Sequence, residues 1–227
     1  ADEYTECAWE ARFLGDLRPE HGILETMCVE NGTIPHLSLH LQRLQESAHA
    51  LNIPCQTAAI HQQARARATA LGQGVFRLRL ALSPQGECEW TDAPLSAVPE
   101  PYVLISETVL PTHDFLRRHK TTRRQIFDQT WRNAQAQGAF DALFFDESSA
   151  LLEGGRSSVM IELDGEMLIP NGDVMHGVAR RLLCAAYPQV KIARISCDML
   201  FHAEKICLGN ALHGWFTVKL LQKNHII

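Results

Sequence analysis

The run Leu116-Arg117-Arg118-His119-Lys120-Thr121-Thr122-Arg123-Arg124 sets one lysine among arginines and a histidine. Cationic neighbours disfavour an ammonium ion, so Lys120 is expected to carry a lowered pKa. A neutral lysine can form a Schiff base with a carbonyl compound and later act as a base. Arg43, in His40-Leu41-Gln42-Arg43-Leu44, offers the forked donor that suits a phosphate. Gly177-Val178-Ala179 opens a segment that reads as helix, and a helix N-terminus beside an arginine makes a phosphate site. Glu153, followed by Gly154-Gly155, offers a carboxylate that can keep a pyridine nitrogen protonated. Taken singly, each has a plain structural reading: a solvated arginine, a basic face, a strand end, a helix cap. Taken together, lysine, phosphate clamp and carboxylate are the contacts that pyridoxal 5′-phosphate requires.

The elements that must position these residues follow from periodicity. His21 to Val29 reads as a strand, and Glu30-Asn31-Gly32 reads as a hairpin turn, because both turn positions favour positive φ. Apolar residues at 37, 41, 44, 48 and 51 predict an amphipathic helix, ended by Asn52 and Pro54. A second helix fits Thr57 to Leu71, closed by Gly72. Val75 to Leu82 alternates apolar and basic residues, the mark of a half-exposed strand. Strands are expected again near Cys88 to Thr91 and over Tyr102 to Val109, around a proline-containing stretch from Asp92 to Pro101. Beyond a linker the pattern predicts a helix over Thr121 to Ala136, a buried strand over Ala142 to Phe145, and two strands flanking Asp164-Gly165. A helix is predicted over Gly177 to Tyr187, with strands and a short helix in the remainder. The first twenty residues are polar and mixed, and Trp9 and Phe13 suggest a short amphipathic helix or an arm. The fold class expected is α+β. The boundary is placed at 108–116, dividing a smaller N-terminal α+β domain, 1–110, from a larger C-terminal domain, 111–227, that carries Lys120.

Composition narrows the classes. At 227 residues, 46% hydrophobic and 21% charged, the chain is globular in type. A net charge of −5 lacks the basic field of a nucleic-acid binder. No apolar run approaches the roughly 20 residues needed to span a bilayer, so no membrane partner is expected. No basic segment leading into an apolar one opens the chain, so no secretory signal is expected; a start at Ala1 fits a trimmed or partial chain. Seven scattered cysteines without a CxxC pair fit reduced, cytoplasmic thiols. The phosphate-binding, dinucleotide, zinc-protease and serine-hydrolase signatures are all missing. His36 and His40 share helical i, i+4 spacing, which alone makes weak metal evidence; surface or capping roles are expected for them, and no metal.

The ordered conjunction of Leu24-Glu25-Thr26-Met27, His40-Leu41-Gln42-Arg43-Leu44, Phe115 through Arg124, Glu153-Gly154 and Gly209-Asn210-Ala211-Leu212-His213-Gly214 resembles the class IV, or fold type IV, pyridoxal-phosphate enzymes. That family includes branched-chain and D-amino-acid aminotransferases and 4-amino-4-deoxychorismate lyase. The resemblance spans roughly residues 22–219 and looks nearest to the lyase, chiefly through His119-Lys120-Thr121-Thr122-Arg123-Arg124. It implies a two-domain fold type IV enzyme with Lys120 as the Schiff-base lysine. It matches Arg43 to the phosphate arginine and Glu153 to the carboxylate facing the pyridine nitrogen. Gly177, Val178 and Ala179 match the glycine and amides that cradle phosphate. Ala211 and Leu212 match a further phosphate or substrate contact, and Thr26 and Arg124 are substrate-side candidates. Three positions depart from the family pattern: Ser158 replaces an asparagine, His213 an arginine and His176 a proline. The implied reaction converts aminodeoxychorismate to 4-aminobenzoate and pyruvate in folate biosynthesis, in a cytoplasmic homodimer acting on a small molecule. An aminotransferase and a catalytically silent homologue are the alternative readings.

Overall fold

The computed structural model describes residues 20–97 and 101–221. The segment around Trp9 and Phe13, expected to be a helix or an arm, lies outside the described residues. The chain forms two compact units. The first comprises the chain up to Pro94 together with Lys120–Thr122, and the second comprises Leu95–His119 and the chain from Arg123 onward.

In the first unit, strands β1 (Ile23–Glu30), β2 (Val75–Leu82) and β3 (Cys88–Pro94) form an antiparallel sheet in that order. Helices α1 (Leu37–Ala50) and α2 (Thr57–Leu71) lie where the sequence predicts them. One face of the sheet carries Ile23, Met27 and Val29 of β1 with Leu78, Leu80 and Leu82 of β2, and it packs on Leu41, Leu44 and Ala48 of α1 and Ile60 of α2. Pleating sends Leu24, Thr26 and Cys28 to the opposite face. Asn31 and Gly32 do take positive φ, 49° and 79°, but the turn does not join two paired strands. It closes on a single Glu30–Thr33 bridge, and then Pro35 and the helical repeat take the chain into α1. The partner of β1 is the distant β2, from Ile23 opposite Leu82 to Glu30 opposite Val75.

The second unit is built on an eight-stranded mixed sheet. Its strands are β4 (Tyr102–Ile105), β5 (Asp141–Phe145), β6 (Leu151–Gly154), β7 (Ser158–Leu163), β8 (Glu166–Pro170), β9 (Lys191–Ala193), β10 (Lys205–Asn210) and β11 (Gly214–Leu220). Their order across the sheet is β6-β5-β4-β11-β10-β7-β8-β9. Helices α3 (Gln125–Ala136), α4 (Val178–Ala186) and α5 (Cys197–His202) complete the unit. The Asp164-Gly165 turn joins β7 to β8 as a true hairpin, with φ of 52° and 73°. The mixed architecture accords with the expected fold class. Among the described residues no helix is long and apolar enough to cross a membrane.

Other boundaries differ from expectation for local reasons. Strand β3 runs on to Pro94, because Asp92, Ala93 and Pro94 stay in register with Leu78, Arg77 and Phe76 on an edge that tolerates proline. Strand β4 stops at Ile105, where the Ser106 hydroxyl accepts the Thr108 N–H at 3.0 Å and turns the chain. Helix α3 starts at Gln125 and not at Thr121. The backbone before it is engaged elsewhere: Leu24 N–H donates to the Lys120 carbonyl at 2.7 Å, Thr121 bridges Ile23, and Thr122 N–H donates to the Gly22 carbonyl at 2.9 Å. Gly22 N–H in turn donates to the Thr122 hydroxyl at 3.1 Å. Lysine and two threonines are thus stitched along the start of β1.

That stitch depends on Gly22, where a Cβ atom would overlap the Leu82 carbonyl. Gly22→Ala is expected to destabilise the fold by about 1–3 kcal/mol, the usual cost of overpacking against a backbone that cannot move away. Urea unfolding of the two proteins measures it.

Candidate active site

In the first unit the chemistry centres on β1. Glu25 lies on the helix-facing side of this strand, among Ile23, Met27 and Val29, and is 1% exposed. Helix α1 brings His40 and Arg43, three residues apart and so on one helical face, against it. Arg43 Nε donates to Glu25 Oε1 at 2.8 Å and Arg43 Nη2 to Oε2 at 2.6 Å, a fork-on-fork pair. His40 Nδ1 lies 2.7 Å from the same Oε2. Burial by itself would raise the Glu25 pKa, but the Arg43 charge and the hydrogen bonds from His40 and Arg43 outweigh it and bring it to about 2. The carboxylate is therefore ionised, and the His40 nitrogen facing it carries a proton. The expectation of a surface or capping role for His40 is overturned: its ring is buried in this cluster, whereas His36 is exposed at the start of α1.

Lys120 is half-buried and joins this unit through the backbone bond to Leu24. Leu24 and Glu25 are consecutive, so Lys120 and Arg43 are anchored at adjacent residues of one strand. Thr26, half-buried on the other face of β1, lies opposite Arg79 of β2. Arg77 shares that face through its partner Cys28, and its Nε is buried with no hydrogen-bond partner.

In the second unit Glu153 sits near the end of β6, 5% exposed. The Met175 N–H approaches its Oε1 at 3.5 Å, which ties the carboxylate to the segment leading into α4. Gly177 is the N-cap of α4, and no side chain caps the helix. The first N–H groups of a helix have no partner within it, and here Val178 and Ala179 present theirs from a buried position. Arg180, one residue on, is buried and donates to the Pro170 carbonyl at 2.9 Å. Burial pulls its pKa down, while Cys184 and Glu153 pull it up.

The glycines after Glu153 have a spatial reason. A Cβ on Gly154 would lie 2.6 Å from Asp141 Oδ2, and one on Gly155 would lie 2.9 Å from Oδ1. Asp141, fully buried at the start of β5, accepts from the backbone N–H groups of Ala142 at 2.9 Å and Arg156 at 3.0 Å, and from the Ser157 hydroxyl. One carboxylate thereby moulds the turn that follows Glu153. Arg124 Nη2 donates to the Gly155 carbonyl at 2.5 Å on the same turn. The β10–β11 turn carries Ala211 and Leu212, and the Leu212 and His213 N–H groups both donate to the Asn210 side chain. Trp215 Nε1 donates to the Ala179 carbonyl at 3.0 Å, linking this hairpin to the start of α4. The arginines around Lys120 in sequence are engaged within the second unit: Arg117 and Arg118 with Asp173, Arg123 with Asp114 and Arg124 near Asp128.

The described residues thus form two groups, Lys120, Arg43 and Thr26 in the first unit, and Glu153, Gly177, Val178, Ala179, Arg124, Ala211 and Leu212 in the second. Residues 22–221 match the family model of amino-transferase class IV. The chain belongs to the class IV aminotransferase family. This family is one of pyridoxal-phosphate enzymes, aminotransferases and lyases, acting on small molecules. Among solved structures it is similar to a Mesorhizobium loti protein assigned as an amino-acid aminotransferase, with 28% identity, a TM-score of 0.79, and coverage of 89% of this chain and 100% of that one. It is also similar to the 4-amino-4-deoxychorismate lyase of Pseudomonas aeruginosa, with 26% identity, a TM-score of 0.77, and coverage of 92% and 87%. A Mycobacterium tuberculosis protein described as a hypothetical aminotransferase and solved with pyridoxal phosphate bound shares the fold, with 22% identity, a TM-score of 0.78, and coverage of 92% and 83%. No curated protein matches the chain at a significant level.

The donor chemistry of this class IV chain fits the cofactor. A buried guanidinium held in place, an uncapped and buried helix N-terminus, and a buried carboxylate are the partners that a phosphate and a pyridinium need. Of the three departures from the family pattern, Ser158 is buried at the start of β7 and His176 is exposed before α4. His213 lies edge-on to Phe140 at 5.8 Å and Phe216 at 6.4 Å, and burial pushes its pKa down. An imidazole whose charged form burial disfavours does not replace the fixed charge of an arginine.

Sequence reading missed Glu25 and Asp141. Period-two alternation puts Glu25 on the apolar face of β1, and a lone carboxylate there requires a partner; that signal was available. Nothing in the sequence singled out Asp141, whose partners Arg156 and Ser157 lie 15 and 16 residues away across a turn.

The lowered Glu25 pKa sets an acid limit. The folded chain binds fewer protons here than the unfolded one, so this contribution to stability is complete above the ordinary carboxyl value of 4.5 and is lost as pH falls towards about 2. Unfolding free energy measured at stepped pH is expected to fall across that window, and to fall less steeply in Glu25→Gln.

Proposed function

We propose that this chain is a pyridoxal-phosphate-dependent lyase that converts 4-amino-4-deoxychorismate to 4-aminobenzoate and pyruvate. The observation that carries the reading is the seating of His119-Lys120-Thr121-Thr122. Its lyase-like threonines bridge Ile23 and bond to Gly22, which holds the backbone of Lys120 beside the strand that anchors Arg43. The 26% identity to the Pseudomonas lyase supports it.

In this reading Lys120 holds the cofactor covalently. Arg43, with the Val178 and Ala179 amides behind Gly177, binds its phosphate, Glu153 keeps its ring nitrogen protonated, and Ala211 and Leu212 give a further contact. The bound cofactor supplies an electron sink. Lys120 Nζ, once released and neutral, takes the proton from the amine-bearing ring carbon. The enolpyruvyl group then leaves the neighbouring carbon as pyruvate, and aromatisation of the ring makes the elimination downhill. Thr26 and Arg124 contact the substrate. Arg77 and Arg79, on the same sheet face as Thr26, suit a substrate that carries carboxylates. The enzyme acts in the cytoplasm, in folate biosynthesis. It works as a homodimer, to which exposed apolar residues such as Val109, Phe115 and Ile126 contribute.

A second reading, transamination of an amino acid, draws on the 28% identity to the Mesorhizobium protein. It shares the first proton transfer by Lys120 but requires a 2-oxo acid as second substrate.

Purified protein is expected to be yellow, and to release pyruvate and 4-aminobenzoate in equal amounts from 4-amino-4-deoxychorismate. Lys120→Ala is expected to be colourless and inactive. A yellow protein that releases no pyruvate but exchanges amino groups between an amino acid and a 2-oxo acid establishes the aminotransferase. A protein that stays colourless with added cofactor is a silent homologue.

A further inference from the structure

Arg43 does not stand alone. Its stem rises from α1 into a buried layer, and the carboxylate of Glu25 grips one edge of its guanidinium, Nε and Nη2, at 2.8 and 2.6 Å. Glu25 is itself held from the other side by His40 Nδ1 at 2.7 Å. All three side chains are nearly inaccessible, at 1% for Glu25, 1% for His40 and 6% for Arg43. A free arginine samples many rotamers, and an anion that binds it must order it first. Here the ordering is done before any anion arrives. The grip also sets direction: with Nε and Nη2 facing Glu25, the Nη1 edge of the plane is the one Glu25 leaves for another acceptor. Because Glu25 projects from β1 one residue after the backbone that binds Lys120, the strand sets the arginine and the lysine in one register.

Building on the phosphate role proposed for Arg43, we infer that Glu25 and His40 are positioning residues that aim the Arg43 guanidinium at the cofactor phosphate. Neither touches the cofactor. Glu25 holds the plane of the guanidinium, and His40 holds Glu25. The ion pair also cancels most of the net charge of the arginine, so its contribution to phosphate binding is directional hydrogen bonding more than attraction at a distance.

The test compares pyridoxal 5′-phosphate with pyridoxal, which lacks only the phosphate. Dissociation constants for both are measured by absorbance on full-length protein stripped of cofactor. Arg43→Gln is expected to weaken pyridoxal phosphate and to leave pyridoxal unchanged. Glu25→Gln, which keeps the shape and removes the charge, is expected to weaken pyridoxal phosphate by about tenfold, as loss of a partner behind a ligating group commonly does, with pyridoxal again unchanged. His40→Gln is expected to show a smaller loss of the same kind. The double variant Glu25→Gln/Arg43→Gln is expected to bind no worse than Arg43→Gln alone, because the two residues act through one guanidinium. Equal weakening of both compounds by Glu25→Gln, or no weakening of either, overturns the inference. If Arg43→Gln itself weakens both compounds equally, the phosphate role of Arg43 fails and the inference fails with it, a result distinct from a normal Arg43 response with a silent Glu25. Should Glu25→Gln not fold, His40→Gln decides: loss confined to pyridoxal phosphate supports the inference, and any other pattern overturns it.

Discussion

The first unit is organised around a charge in an apolar place. Glu25 occupies a position on β1 whose neighbours along the strand face are Ile23, Met27 and Val29. An ionised carboxylate there is tolerable only with a cation in contact and its lone pairs satisfied, and breaking such a buried pair by removing one partner costs on the order of 3–5 kcal/mol. Arg43 and His40 meet both conditions. Helix α1 must therefore lie against β1 at one rotation and one height, since Leu41 and Leu44 are satisfied by any greasy contact whereas the Glu25–Arg43 fork is not. The cluster specifies the helix-on-sheet packing, and the same cluster presents Arg43.

The second unit uses a related device with the opposite polarity of partners. Asp141 is a buried carboxylate held by the backbone amides of Ala142 and Arg156 and by the Ser157 hydroxyl. Burial pushes its pKa up while those donors pull it down. It takes the space that side chains on Gly154 and Gly155 would fill. The turn behind Glu153 is shaped by this exclusion. In each unit, then, a buried carboxylate organises the structure beside a residue expected to meet the cofactor: Glu25 against Arg43, and Asp141 in the turn that follows Glu153.

Membership of the class IV family is compatible with both of the reactions proposed for Lys120 and Glu153. Removal of a proton by lysine and storage of electrons by the cofactor serve both elimination and transamination. The two reactions part afterwards, according to whether a leaving group sits beside the deprotonated carbon. The residues that meet the substrate decide that.

Much of this was legible in the chain alone. The 3.6-residue repeat determined α1 and alternation determined β2, because those periods report which side of an element is buried, while composition and the closing Gly72 marked α2. Lys120, Arg43 and Glu153, each weak alone, stood out through the ordered resemblance of their segments to the class IV pattern. What escaped were pairings between distant segments. Asn31-Gly32 has the local chemistry of a hairpin, yet β1 pairs with β2 some fifty residues on, since a turn sets the bend and only the sheet chooses the partner. Thr121 to Arg124 has the composition of a helix start, yet backbone bonds to Gly22 and Leu24 hold Lys120 to Thr122 against the start of β1. The roles of Glu25, His40 and Asp141 likewise arise only when strand and helix, or strand and turn, come together. Residue type and local period determine what a segment can be, whereas a buried charge or a backbone bond across the chain acquires its partner only in the folded state.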